Sequence, residues 1–292
     1  MSKMKNNVFT KLIYLVVFVS VGFVSCKDMM FSQHNDFRDA ETYFRKNDTS
    51  SVHFFVLSDW GFSGRYGQKD VAAEMARMSK IVRLDFMLTA GDNFQISGVE
   101  SATDSLWFSN FEDIYKDSAL LVPWYPTLGN HDHYGNTLAQ VEYSELNPRW
   151  RMSAPYYTFV QPIDSVTGIR FIVLDTQSLI DSYNGFSDAI IADSIAQYAW
   201  LKETLRLNTE KWIVVIGHHP VYSASTFHGD TPEMNVLVKP LLNQYNVDFY
   251  ICGHDHHFEH ASDGEYTDYI VTGTGGYVRT VGHNEHTVYS LS

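Results

Sequence analysis

Seven residues able to hold a metal or move a proton follow closely on apolar runs: Asp59 in SDWG, Asp92 in AGDN, Asn130 and His131 in LGNHDH, His218 in IGHHP, and His254 and His256 in CGHDHH. A lone Asp-X-Gly is most often a turn, and a lone histidine is most often a hydrogen-bonded structural residue. The set argues otherwise. Mixed carboxylate, amide and imidazole donors suit a pair of borderline-hard cations that share one bridging carboxylate, and such a pair lowers the pKa of a shared water. Nine of the thirteen histidines fall between His218 and His286, which fits one site better than a scatter of surface residues.

The elements that must position these residues are legible as apolar runs. VHFFVL (52–57), LDFMLTA (84–90), IRFIVLD (169–175), KWIVVIG (211–217) and VDFYICG (247–253) each have the length of a buried strand and end in polar or glycine residues. PWYPTLG is a shorter run leading to Asn130. Between them, 68–83 places Val71, Met75, Met78 and Val82 at helical spacing, and 193–207 does so with Ile195, Tyr198, Leu201 and Leu205. Strands alternating with helices predict an α/β domain, with antiparallel strands added at 266–272 and 285–291. Ligands gather at the carboxyl ends of strands in open α/β sheets, so the five polar segments are expected to converge. Glycine before Asp92, Asn130, His218 and His254 lets the backbone carry each side chain into a crevice.

The chain has 292 residues and a net charge of −13, with no basic run, which excludes nucleic-acid binding through a general positive field. An acidic chain still accepts an anionic substrate where bound cations dominate the local field. At the N-terminus, Lys3, Lys5 and Lys11 precede an uncharged stretch from Leu12 to Ser25, shorter than the roughly 18 apolar residues that a spanning helix needs. The expectation is an export signal over 1–26 ending at a lipid-acceptor Cys26, a polar tether over 27–50, and one domain over 51–292. With Cys26 lipidated only Cys252 remains, so no intrachain disulfide forms and stability rests on the core.

In order, DWG, GDNF, GNHD, VIGH (215–218) and GHDH resemble the motifs of the metallophosphoesterase superfamily. PWYPTLGNHDHYGN, YSELNPRW and CGHDHH resemble the animal-type tartrate-resistant acid phosphatases among the purple acid phosphatases, and the likeness spans about residues 52–280. It implies a calcineurin-like fold, a four-layer α-β-β-α sandwich of two mixed sheets. It further implies a first metal held by Asp59, Asp92 and His256, with Asp92 bridging to a second held by Asn130, His218 and His254. By the same resemblance His131 contacts substrate, with Asp132 behind it as an orienting partner. His228 in TFHGD matches a histidine near the leaving group if one residue is inserted after Pro220. The implied activity is phosphomonoester hydrolysis by a metal-bound hydroxide, with iron paired to iron, zinc or manganese. The alternatives are a phosphodiesterase or nucleotidase using the same site, and a non-catalytic phosphate-binding lipoprotein. The expected setting is a monomer, exported to the periplasm or cell surface and anchored through Cys26.

One position departs from the pattern. Where purple acid phosphatases carry a tyrosinate on ferric iron, this chain has Gln95. A neutral amide offers no anionic oxygen, so a trivalent iron loses its most distinctive ligand while a divalent ion remains well served. A hydrolase that is not purple, with an optimum shifted towards neutral pH, is expected. His219 is expected either to shape the substrate mouth or to be an exposed spectator, His257 and His260 to lie on a strand leading away, and Asp255 to point away from the metals. Trp60, Phe94 and Tyr134 are expected to pack in the core or wall the pocket.

Overall fold

The computed structural model describes residues 51–180 and 188–292; the signal and tether read from the sequence lie outside them. Ten strands form two sheets. Phe54–Leu57 (β1), Phe86–Thr89 (β2) and Trp124–Pro126 (β3) make a parallel sheet in that order. Tyr157–Pro162 (β4), Gly168–Val173 (β5), Trp212–Ile216 (β6), Phe249–Cys252 (β7), Phe258–Ala261 (β8), Asp268–Thr272 (β9) and Thr287–Leu291 (β10) make a mixed sheet in the order β10-β8-β9-β7-β6-β5-β4. The late strands β9 and β10, expected over 266–272 and 285–291, each pair antiparallel with β8, while β9 also runs parallel to β7. The fold is the expected two-sheet α/β sandwich, and its smaller sheet is parallel throughout the described strands.

Burial on both faces explains the unbroken apolar runs. Along β6 and β7, Val214, Ile216, Phe249 and Ile251 join the core between the sheets, where Phe171 meets Phe54 and Phe86 edge-on at 5.4 Å each. The alternate residues Ile213, Val215, Tyr250 and Cys252 pack into a second core with Leu201 and Leu205 of the helix Asp188–Arg206. On the small sheet, Phe55, Leu57 and Met87 alternate with the residues facing Phe171 and are buried in one cluster with Val71, Met75 and Met78 of the helix Gln68–Met78. That helix ends at Met78; Val82 is still buried, in turns that carry the chain to β2. Cys252 is a free, buried thiol. Among the described residues no helix is long and apolar enough to cross a membrane.

A third layer of side chains braces the loops. Trp60, Trp107, Phe111, Tyr115, Trp124 and Trp150 are each at most 1% exposed and pack against one another. Trp60 follows Asp59 directly, so this aromatic cluster holds the loop after β1 rigid.

Candidate metal centre

Asp59 follows β1, Asp92 follows β2, Asn130 and His131 follow β3, His218 follows β6, and His254 and His256 follow β7. The parallel strands deliver all seven to the same edge of the two sheets. The chain turns there through left-handed conformations at three non-glycine residues, Asp59 (φ 57°), Asp92 (φ 52°) and His254 (φ 68°). Such residues cost about 1–3 kcal/mol each and persist where the surroundings over-determine them, as at functional sites. Close approach accounts for two neighbouring glycines. At Gly91 (φ 93°) a β-carbon would sit 2.6 Å from His218 Nδ1, and at Gly253 it would sit 1.9 Å from Ser58 Oγ and 2.5 Å from Asp59 Oδ2.

His218 Nδ1 donates to the Ala90 carbonyl at 2.8 Å, which leaves Nε2 as the donor atom for a cation. That Nε2 lies 3.0 Å from Asn130 Oδ1 and 3.4 Å from Asp92 Oδ1. His254 Nδ1 is also 3.0 Å from Asn130 Oδ1. His256 Nδ1 donates to the Tyr277 carbonyl at 2.8 Å, turning Nε2 to within 3.5 Å of Asp59 Oδ1. Backbone amides hold the carboxylates, from His131 to Asp92 Oδ1 at 2.9 Å and from His254 to Asp59 Oδ2 at 3.0 Å.

This donor set fits cations. Asp59 and Asp92 are at most 1% exposed, and no lysine or arginine pairs with either among the described residues. Burial, reinforced by repulsion from Asp59 and Asp132, pushes the Asp92 carboxyl well above the usual range. Burial also opposes ionisation of Asp59, but the attraction of His256 and His218 outweighs it and the net shift is downward. Burial holds His218 below its ordinary pKa and His254 well below it, which favours the neutral imidazole that can ligate. Two buried carboxylates facing neutral imidazole lone pairs are costly alone and are stabilised by dications between them. The donor atoms of Asp59, Asp92 and His218 all lie within 4.8 Å of one another, as do those of His218, His219 and His254.

Gln95 lies beside the two carboxylates. It is 5% exposed, and its Nε2 is 3.1 Å from Asp92 Oδ2 and 3.4 Å from Asp59 Oδ1. His131 is a third exposed, with Nε2 3.9 Å from Asp92 Oδ2, and His228 is exposed with its ring 4.1 Å from that of His254. Asp132 does not touch the His131 ring. Its carboxylate accepts from the amides of Gly129 (2.8 Å), Asn93 (3.1 Å) and Phe94 (3.1 Å) and from Gln140 Nε2 (2.9 Å). It points inward from a short turn while His131 points to the mouth, so it clamps the GDNF and GNHD loops together and places His131 through the backbone.

The expectation for His219 fails, since it lies neither at the mouth nor on the surface, while those for Asp255, His257 and His260 hold. His219 is fully buried, with Nδ1 2.9 Å from Thr176 Oγ1 and its ring 4.6 Å from that of His254, so it is scaffold behind the site. Asp255 turns from the metal ligands to hold Ser223 and Gly229, fixing the loop that carries His228. His257 and His260 pair with Glu259 and Asp268, away from the centre. Trp60 and Phe94 are core, whereas Tyr134 is exposed, edge-on to His131 at 5.4 Å.

Sequence reasoning missed three supports. Thr176 Oγ1 accepts the amides of His218 and His219. Asn93 joins Trp60, Thr89, Thr127 and Gln140. His133 Nε2 meets both oxygens of Asp175 at 2.9 and 3.0 Å, tying the loop after β3 to that after β5. Asp175 ends the run IRFIVLD, the same signal that flagged the other strand-end residues.

Residues 52–258 match the model of the calcineurin-like phosphoesterases. The chain belongs to that family. Among its relatives, the tartrate-resistant acid phosphatase type 5 of Rattus norvegicus is 34% identical over 245 residues, covering 78% of this chain and 74% of the relative. Purple acid phosphatase 3 of Arabidopsis thaliana is 32% identical over 267 residues, covering 85% of this chain and 69% of its own. Of solved structures, GAP50, the anchor in the inner membrane complex of Plasmodium, superposes with a TM-score of 0.71 at 27% identity, over 82% of this chain and 77% of that one. As a calcineurin-like phosphoesterase, the chain carries its polar strand-end residues on the matched segment.

Proposed function

We propose that this phosphoesterase hydrolyses phosphomonoesters at a centre of two cations, one held by Asp59, Asp92 and His256, the other by Asp92, Asn130, His218 and His254. The observation that carries this reading is the convergence of these donors, the two carboxylates buried without a lysine or arginine partner. Bound cations supply Lewis acidity towards phosphoryl oxygens and activate water for in-line attack. The chain's own residues do the rest. His131, anchored to Asp92 through its backbone amide, presents its ring at the mouth, and His228 stands over His254. Each is placed to give a proton to a departing alkoxide, which contributes ~10² to 10⁴ in rate. Asp132 is a positioning residue for this arrangement.

Gln95 argues for a centre without the tyrosinate-to-iron colour, because its Nε2 faces the two carboxylates where a tyrosinate oxygen would bind. Iron, manganese and zinc are the candidate ions, and an optimum towards neutral pH is expected. The apolar leader and Cys26 support export and lipid anchoring at the periplasmic or cell-surface face, as a monomer. The test is to strip residues 27–292 of metal, reload separately with iron, manganese and zinc, and assay a phosphomonoester beside a bis-ester. Metal-dependent monoester turnover that disappears in Asp92→Ala, with no strong visible band in the iron form, is the expected result. Faster bis-ester turnover would favour a phosphodiesterase, and phosphate binding without turnover a non-catalytic protein.

A further inference from the structure

Arg279 stands out at the mouth of the centre. Its backbone amide donates to the His256 carbonyl at 2.7 Å, which ties its main chain to a first-cation ligand. Its guanidinium reaches the other side and lies 3.6 Å over the ring of Phe227, whose neighbour His228 stacks on the second-cation ligand His254. Through its main chain and its side chain, Arg279 thus joins the segments that carry His256 and His228. No carboxylate pairs with it among the described residues, although the chain carries a net charge of −13. Its Nη1 is shielded from water and has no hydrogen-bond partner. An arginine at the mouth of the site with no carboxylate partner among the described residues calls for an explanation, and an anion that arrives with the substrate is the simplest.

We propose that Arg279 is a specificity-determining residue that binds a second anionic group on the leaving portion of the substrate, so that the preferred esters are phosphomonoesters of alcohols that themselves carry a carboxylate or a further phosphate. Stacking on Phe227 occupies one face of the guanidinium, and the Nε–Nη2 edge, unlike Nη1, is not shielded and is left for a planar, bidentate contact. The proposal rests on the hydrolase reading above and deepens it.

The test compares kcat/KM for 4-carboxyphenyl phosphate with that for its neutral methyl ester, in the metal-loaded wild type and in Arg279→Met. The ratio between the two esters, compared across variants, cancels their leaving-group chemistry. Loss of a charge-assisted contact is expected to lower that ratio on the order of 10- to 100-fold, with Arg279→Lys recovering part of it. 1,4-Phenylene bisphosphate, run beside phenyl phosphate, tells whether phosphate is preferred to carboxylate. Calorimetric binding of 4-carboxybenzylphosphonate against benzylphosphonate gives the same comparison without turnover. A purely structural Arg279 would depress both esters alike, and a ratio unchanged in Arg279→Met would overturn the proposal while leaving the hydrolase intact. Failure of the wild type to hydrolyse any of these esters with any metal would remove both readings.

Discussion

At the floor of the site Asp59, Asp92 and His218 are at most 1% exposed, and each is fixed by backbone partners drawn from a different strand end. At the mouth His131 is a third exposed, and Tyr134 (68%), Phe227 (63%) and Tyr277 (43%) reach water among ring contacts and one unpaired cation. The floor spends its burial and backbone strain on position, because a cation pair tolerates little error in its ligands. The mouth is loosely tied, so different leaving groups can be met there without disturbing the metals. On the proposed reading, the chemistry would follow from the floor and the choice of substrate from the mouth.

Substitutions can break this division, and outside the proposed metal ligands the largest effect is expected at the mouth. His131→Gln should lower kcat by ~10² to 10⁴ for esters with poor leaving groups, and far less for nitrophenyl phosphate, while metal content stays at the wild-type level. An equal loss on both esters would show that His131 supports the floor and does not protonate the leaving group.

Next comes Gly253→Ala, a floor change outside the donor set. A β-carbon 1.9 Å from Ser58 Oγ and 2.5 Å from Asp59 Oδ2 must displace a ligand, so both stability and metal affinity should fall. Overpacking of this kind costs about 1–3 kcal/mol, and roughly 2–4 °C of melting temperature per kcal/mol is expected for a domain of this size. Thermal unfolding with and without metal reads both effects, and an unchanged metal affinity would mean that the floor is softer than its packing implies.

The smallest effect is a pH trend in the metal-free protein. Burial holds His218, His219 and His254 below the ordinary imidazole value, so at these three residues the folded chain binds fewer protons than the unfolded one. Their contribution to stability is present above about pH 6.5 and is lost as the pH falls below it. Melting curves in chelator from pH 8 to 5 should drop accordingly, and His219→Phe should flatten part of the decline. The raised carboxyls of Asp92 and Asp132 oppose this trend, so an identical pH dependence in wild type and His219→Phe is the result that would contradict a buried neutral histidine there.

The floor was the legible part of the sequence. Each of its ligands follows a continuous apolar run, because a strand buried on both faces has no polar alternation and its end is where polar residues reappear. The boundaries moved by only a few residues, as in the run 84–90, of which Phe86–Thr89 pairs in the sheet. The strand Tyr157–Pro162 gave no such signal, because at the sheet edge it carries exposed residues and ends in Pro162. Asp132 was read as a partner of the ring beside it, but its carboxylate reaches Asn93, 39 residues earlier. Contacts of that kind leave no local period. Arg279 was invisible for the same reason, since its meaning comes from Phe227 and His256, which only the fold brings near.

The most direct measurement is a titration of metal-stripped residues 27–292 with a single divalent ion, following turnover of phenyl phosphate and bound ion together. The account predicts that activity rises to a plateau at two ions per chain and that Asp92→Ala neither binds the pair nor turns over. Full activity at one ion, or activity that ignores added metal, would contradict a floor built for two cations.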